Sequence, residues 1–131
     1  MNLLLDTHAW LWFALGQEKL SATARAAIEH PENVNHLSTA SLWEIAIKIS
    51  LGKYQLQLPF LQFVDQSIAA NRISLVAILP RHIDHVATMT FPSSGHRDPF
   101  DRLLVSQAQV EGMTLVSNDA ALDEYGVPRI W

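Results

Sequence analysis

One pattern constrains this chain more than any other: short apolar runs of strand length alternate with segments of helical spacing. Leu3-Leu4-Leu5 ends at Asp6 and reads as a buried strand. An apolar, aromatic helix follows from Thr7 to Leu15 and stops at Gly16. Ser21 to His30 is a second helix, with Ser21 as N-cap and Pro31 just past its end. Val34–Leu37 is the next strand, and Ser38–Leu51 the next helix, with Ile45 and Ile49 four apart and Gly52 as its stop. Lys53–Pro59 is loop, Phe60–Asn71 helix and Ile73–Ile78 strand. Pro80–Met89 is a helix opening on Pro, the Pro/Ser/Gly-rich stretch 91–97 is loop, and Pro99–Glu111 is a helix with Gly112 after it. Thr114–Ser117 (strand), Asp119–Tyr125 (short helix) and Arg129–Trp131 (strand) complete the chain. Such alternation predicts an α/β domain whose mainly parallel sheet carries helices on both faces. Ligands of such sheets bind beyond the carboxyl ends of the strands. The chemistry is therefore to be sought in residues that follow strands.

The 131 residues suit a single domain spanning 1–131, without repeats or linkers. A chain of this size buries about two-thirds of its surface on folding. With no cysteine, disulfides, thiol nucleophiles, Cys-ligated zinc and iron–sulfur clusters are excluded. Hydrophobic residues make up 49% and charged residues 17%, the balance of a globular chain. No apolar run reaches the roughly 18 residues of a membrane span, and the start of the chain lacks a basic leader, so a cytoplasmic protein is expected. The formal charge of −4 argues against binding nucleic acid by a plain basic surface. It leaves room for a nucleic-acid enzyme whose acids are neutralised by metal.

Two acids follow strands. Asp6 follows the first, and Asp119 follows Leu115-Val116 after Ser117-Asn118. A parallel sheet would bring both to one edge. Glu44 lies early in the 38–51 helix, and Asp98 and Asp101 open the 99–111 helix. Each acid also has a purely structural reading. Asp98-Pro99-Phe100-Asp101 is a good helix start, and Asp6 and Asp119 suit N-caps. Ser41-Leu42-Trp43-Glu44 has capping-box spacing, and Glu44 and Lys48 form an i, i+4 ion pair. As a set, however, several carboxylates without cationic partners repel and raise one another's pKa. Such a cluster is stable around a hard divalent cation, Mg²⁺ or Mn²⁺. Phosphodiester hydrolysis is the chemistry such sites serve.

Four blocks carry a resemblance. They are Leu4-Leu5-Asp6-Thr7-His8, Ser38-Thr39-Ala40-Ser41-Leu42-Trp43-Glu44-Ile45, Arg97-Asp98-Pro99-Phe100-Asp101-Arg102-Leu103-Leu104, and Gly112-Met113-Thr114-Leu115-Val116-Ser117-Asn118-Asp119. In this order they resemble the acidic motifs of PIN-domain nucleases, specifically the VapC-like toxins of type II toxin–antitoxin systems. The first block departs slightly, having Thr7-His8 where Asn or Ser is commoner in the third position. The resemblance covers nearly the whole chain. It implies a PIN-like three-layer α/β/α domain and Mg²⁺- or Mn²⁺-dependent RNA cleavage, with products ending in 5′-phosphate and 3′-hydroxyl. It also implies a homodimer and neutralisation by a cognate antitoxin. Asp6, Glu44, Asp101 and Asp119 are the implied catalytic and metal-holding acids. Asp98 stands behind Asp101 or serves a second metal, and Thr7 and Ser117 are placed to orient carboxylates.

Phosphate contact is expected from Arg81, Arg97 and Arg102 with His82, His85 and His96, which concentrate in residues 81–102. A solvated surface is the plain alternative for these residues. His82-x-x-His85 has metal-binding spacing but no evident third ligand. The tryptophans read mostly as core or interface. No phosphate-binding glycine loop is present. A catalytically silent PIN-like module that binds RNA or protein is the competing function. An aspartate-nucleophile phosphatase would want D-x-D after the first strand, where Thr7-His8 stands instead.

Overall fold

The computed structural model describes residues 1–131. Five strands form one sheet: β1 (Asn2–Leu5), β2 (Val34–Ser38), β3 (Ile73–Val76), β4 (Thr114–Val116) and β5 (Arg129–Ile130). Their spatial order is β3-β2-β1-β4-β5, and all four pairings are parallel. Six α-helices cover the sheet: α1 (Thr7–Ala14), α2 (Ala22–Glu29), α3 (Thr39–Ser50), α4 (Phe60–Asn71), α5 (Pro80–Thr88) and α6 (Pro99–Glu111). A 3₁₀ helix spans Ala120–Tyr125, where the sequence predicts an ordinary short helix. β3 stops two residues short of its predicted end. No helix is long and apolar enough to cross a membrane.

β1 lies at the centre because all three of its leucines are apolar on both faces. Leu3 and Leu5 pack with Trp10, Ala24, Leu37 and Phe63 on one side, and Leu4 packs with Leu104, Val105, Ala108 and Leu115 on the other. This alternation across a strand creates two cores, one per face, and hence three layers. Trp10 is fully buried and donates its indole N–H to Ser67 Oγ at 3.1 Å, tying α1 to α4.

The helix starts follow local capping chemistry. Asp6, Ser21, Ser38, Asp98 and Asp119 each accept a main-chain N–H of the first turn that follows. The capping box predicted from Ser41 to Glu44 does not form. Ser38 caps α3 instead, three residues earlier, and Ser41 is buried within the helix. That shift sets Glu44 in the helix body, where it reaches out to Thr7 and Lys48.

α5 docks on α6 through polar contacts. Leu79 N–H donates to His82 Nδ1 at 3.0 Å, so the ring proton sits on Nε2 and is donated to Glu111 at 2.7 Å. Both ring nitrogens are thereby used within the fold, and His82 and His85 do not form a metal pair. His85 pairs with Gln109. Arg81 donates twice to the same Glu111 oxygen, and the two partners hold that carboxyl below its ordinary pKa.

Leu4→Ala is expected to cost about 3 kcal/mol, because Leu4 is fully buried between the sheet and α6. Leu61→Ala, at a position 67% exposed, should stay within about 0.5 kcal/mol of wild type. Urea denaturation of the two variants measures both.

Candidate active site

The strand order reverses direction at β1: the chain first builds β2 and β3 on one side, then β4 and β5 on the other. A crevice opens at such a point beyond the strand carboxyl ends. Here it is a cleft of about 450 Å³ lined by Asp6, Thr7, His8, Glu44, Lys48, Asp98, Asp101, Asn118 and Asp119, with no hydrophobic residue among them. Five carboxylates face one ammonium group.

The five acids arrive on four elements. Asp6 ends β1, and its main-chain N–H is bonded to Val116 O of β4 at 3.0 Å, which fixes it against the neighbouring strand. Glu44 comes from α3. It accepts the Thr7 hydroxyl at 2.9 Å on one oxygen and Lys48 Nζ at 2.9 Å on the other. Asp98 and Asp101 come from the start of α6, and Asp119 from the turn after β4. The structural and chemical readings of these acids coexist. Asp6, Asp98 and Asp119 each use Oδ1 to cap a helix, and the cap leaves Oδ2 available to the cleft. Ser117 lies beside two of them: its hydroxyl accepts the Asp119 N–H at 3.1 Å, and its presence lowers the Asp6 pKa.

Burial, and crowding to a lesser degree, show in the proton affinities. Burial raises the pKa of Asp6, with Glu44 adding to it, while Ser117, the Ala9 N–H and His8 oppose. Asp101 is pushed up to about 6, mainly by burial and then by the Asp98 and Asp119 charges, against a lowering from His96. Carboxylates lifted in this way favour a positive ion among them. The set of hard oxygen donors fits a divalent cation of the Mg²⁺ class.

The basic residues of the 81–102 stretch part company. Arg81 is bound to Glu111 on the α5–α6 surface, and no part of it lines the cleft. Arg102 is only 5% exposed. Its guanidinium donates to the Met89 and Thr90 carbonyls and to Tyr125 Oη, and lies 4.1 Å from the centre of the Phe91 ring. It is a pin for the loop between α5 and α6, and its inward direction corrects the expectation of phosphate contact. Arg97 is exposed and rests on the Phe91 ring at 4.2 Å. His96 points inward, with Nε2 3.1 Å from Asp101 Oδ2 and 3.7 Å from Asp119 Oδ2. Lys48, His8 and Asn118 join the cleft although the sequence reading gave them no role there. For Lys48 the signal was present in its spacing from Glu44.

A strand-order switch point lined with carboxylates defines a class of acidic-site α/β proteins, and the sequence places the chain within it. The PIN domain profile matches residues 3–128, and the chain belongs to the PIN-domain family. It is 32% identical to Ribonuclease VapC22 of Mycobacterium tuberculosis over 128 residues, covering 98% of this chain and 95% of the relative. The solved structure of VapBC2 from Rickettsia felis bound to a promoter DNA fragment superposes with a TM-score of 0.71 at 14% identity, covering 98% of this chain and 97% of that one. VapBC-1 from nontypeable Haemophilus influenzae gives 0.66 at 15% identity, covering 98% and 96%. At these identities the structural likeness is one of fold. The resemblance read from the four acidic blocks and the expected α/β/α architecture both hold.

The raised Asp101 pKa carries a stability consequence for the metal-free protein. The unfolded chain releases this proton near 3.8 and the folded one near 6, so stability falls as pH rises across that window. The loss reaches up to about 3 kcal/mol above pH 6. Asp101→Asn should remove this part of the slope. Urea unfolding of both proteins in EDTA, from pH 4 to 7.5, measures the difference.

Proposed function

We propose that this chain is a metal-dependent endoribonuclease, the toxin of a type II toxin–antitoxin pair, and that residues 1–131 act as one catalytic domain. The observation that carries the reading is the cleft itself: carboxylates from β1, α3, α6 and the turn after β4 converge at the strand-order switch point with one lysine among them. The identity to a ribonuclease over nearly the full length of both chains supports the same activity.

Asp6, Glu44, Asp101 and Asp119 are the residues we assign to catalysis and to holding Mg²⁺ or Mn²⁺, with Asp98 beside Asp101. When bound, such a cation lowers the pKa of a coordinated water and stabilises negative charge on phosphoryl oxygen. The chain's own residues do the positioning. Thr7 orients Glu44 through its hydroxyl, and Lys48 holds the other Glu44 oxygen. Ser117 orients Asp6 and the Asp119 backbone. Lys48 within the cleft and Arg97 on the exposed loop offer positive charge to an RNA backbone, as the acids alone would repel it. A cognate antitoxin and a homodimeric, cytoplasmic state belong to the same proposal. The solved VapBC complexes that share the fold support the antitoxin partner.

The test uses purified protein free of any partner, with total RNA and either Mg²⁺ or Mn²⁺. Discrete fragments are expected, abolished by EDTA and reduced by about 100-fold or more in Asp6→Asn. Circular dichroism should show the variant folded. Undiminished cleavage by Asp6→Asn, or cleavage in EDTA, would sink the metal-site assignment. RNA binding by wild type without cleavage under either metal would transfer the protein to the silent binding modules.

A further inference from the structure

We propose that His96 is itself a ligand of the cation in this cleft, through Nε2, and that this nitrogen shifts the site away from Mg²⁺ toward a first-row transition ion such as Mn²⁺. The inference rests on the metal-dependent reading above and adds a ligand that an all-carboxylate site would lack.

Three observations carry it. The first is spacing. Nε2 of His96 and one carboxylate oxygen each from Asp101 and Asp119 all lie within 4.8 Å of one another. The two shortest His96 separations are 3.1 and 3.7 Å. Adjacent ligands of an octahedral ion bound at about 2.1 Å stand about 3.0 Å apart, and opposite ones about 4.2 Å. The three atoms fall in the range that one ion can gather with little movement.

The second is the support behind the ring. His96 Nδ1 lies 2.9 Å from Tyr125 Oη, and the two rings meet edge to face with centroids 5.6 Å apart. Tyr125 Oη in turn accepts from Arg102 Nη1 at 3.2 Å, and Arg102 is fastened to two main-chain carbonyls. Histidine ligands are typically held in this manner, by a partner on the nitrogen away from the metal. The side chain is only 12% exposed, so the ring has little freedom to turn outward to a phosphate.

The third is the character of that partner. A hydroxyl can either donate to Nδ1 or accept from it. With the hydroxyl donating, Nε2 carries the proton and gives it to Asp101. With the hydroxyl accepting, Nε2 presents a lone pair toward Asp101 and Asp119, an arrangement that three acceptor atoms tolerate only with a cation between them. A carbonyl in place of Tyr125 Oη would allow only the second form, and a main-chain N–H only the first. The Tyr125 hydroxyl also has the His96 carbonyl at 3.5 Å as an acceptor for its own proton, so it can accept from Nδ1 and leave the Nε2 lone pair to a cation. An imidazole ligand ill suits Mg²⁺, which takes oxygen donors, and is readily taken by transition ions.

The experiment is pulsed EPR of the Mn²⁺-loaded full chain. Wild type is expected to show ¹⁴N coupling to the manganese, replaced by the ¹⁵N pattern when histidine is supplied as ¹⁵N. His96→Gln should lose the coupling, and its Mn²⁺ affinity relative to Mg²⁺ should fall by about tenfold in calorimetric competition. His8→Gln, which removes the histidine that lines the cleft, should keep the coupling. Stoichiometric Mn²⁺ binding by wild type without nitrogen coupling would overturn the proposal, reduce His96 to a hydrogen-bond partner of Asp101, and leave the ribonuclease reading intact. No binding of Mn²⁺ or Mg²⁺ by folded wild type would overturn both. The labelled spectra of wild type and His8→Gln together decide the matter even if His96→Gln does not fold.

Discussion

The pairing of β1 with β2 on one side and β4 on the other holds the rest of the molecule in register. Leu5 stands opposite Leu37 and Val116 at the same level of the sheet. The residues that follow these three positions therefore emerge at one edge, and they are Asp6, Ser38 and the Ser117-Asn118-Asp119 turn. Because the strands are parallel, no hairpin could do this. Each return needs a crossover helix, and those helices supply both cores and two further sources of acid, α3 and α6. The cleft is thus a by-product of burying Leu3, Leu4 and Leu5 on both faces.

Against this favourable scaffold stands an electrostatic conflict. Five carboxylates share one cleft, and burial lifts at least two of them toward protonation. Several groups keep the arrangement folded without neutralising it. The caps of α1, α6 and the 3₁₀ helix give three of the aspartates a structural task for one oxygen. Lys48 and Thr7 restrain Glu44. On the far side, Arg102, itself placed by the carbonyls of Met89 and Thr90, steadies Tyr125 and through it His96. Stability lost to burial and repulsion of these acids is returned when positive charge enters the cleft, so folding and binding are coupled through the same acids.

Much of this was legible in the sequence because it rests on local rules. Strand and helix followed from apolar runs broken by Gly and Pro. Asp6 and Asp119 stand out because parallel topology makes the position after a strand special, and Glu44, Asp98 and Asp101 because they sit in the acidic blocks that carry the family resemblance. The misreadings share one cause: tertiary partners that spacing does not show. Ser41 and Glu44 had the spacing of a capping box, yet Ser38, at the very end of β2, was better placed to cap. Arg81 and Arg102 read as surface cations, but Glu111 claims one and the main-chain carbonyls of Met89 and Thr90 claim the other. His96 read as a phosphate contact, and its inward direction is decided by Tyr125, which lies 29 residues away in sequence.

The register of β1 against β4 has a temporal side. Asp119 and the strand that carries it follow Asp6 by more than a hundred residues. Until Thr114–Val116 has been synthesised and has slotted beside Leu3–Leu5, the growing chain has a half-sheet and no complete cleft. The full set of acids therefore comes together only after the later part of the domain has been made and has paired with the earlier part.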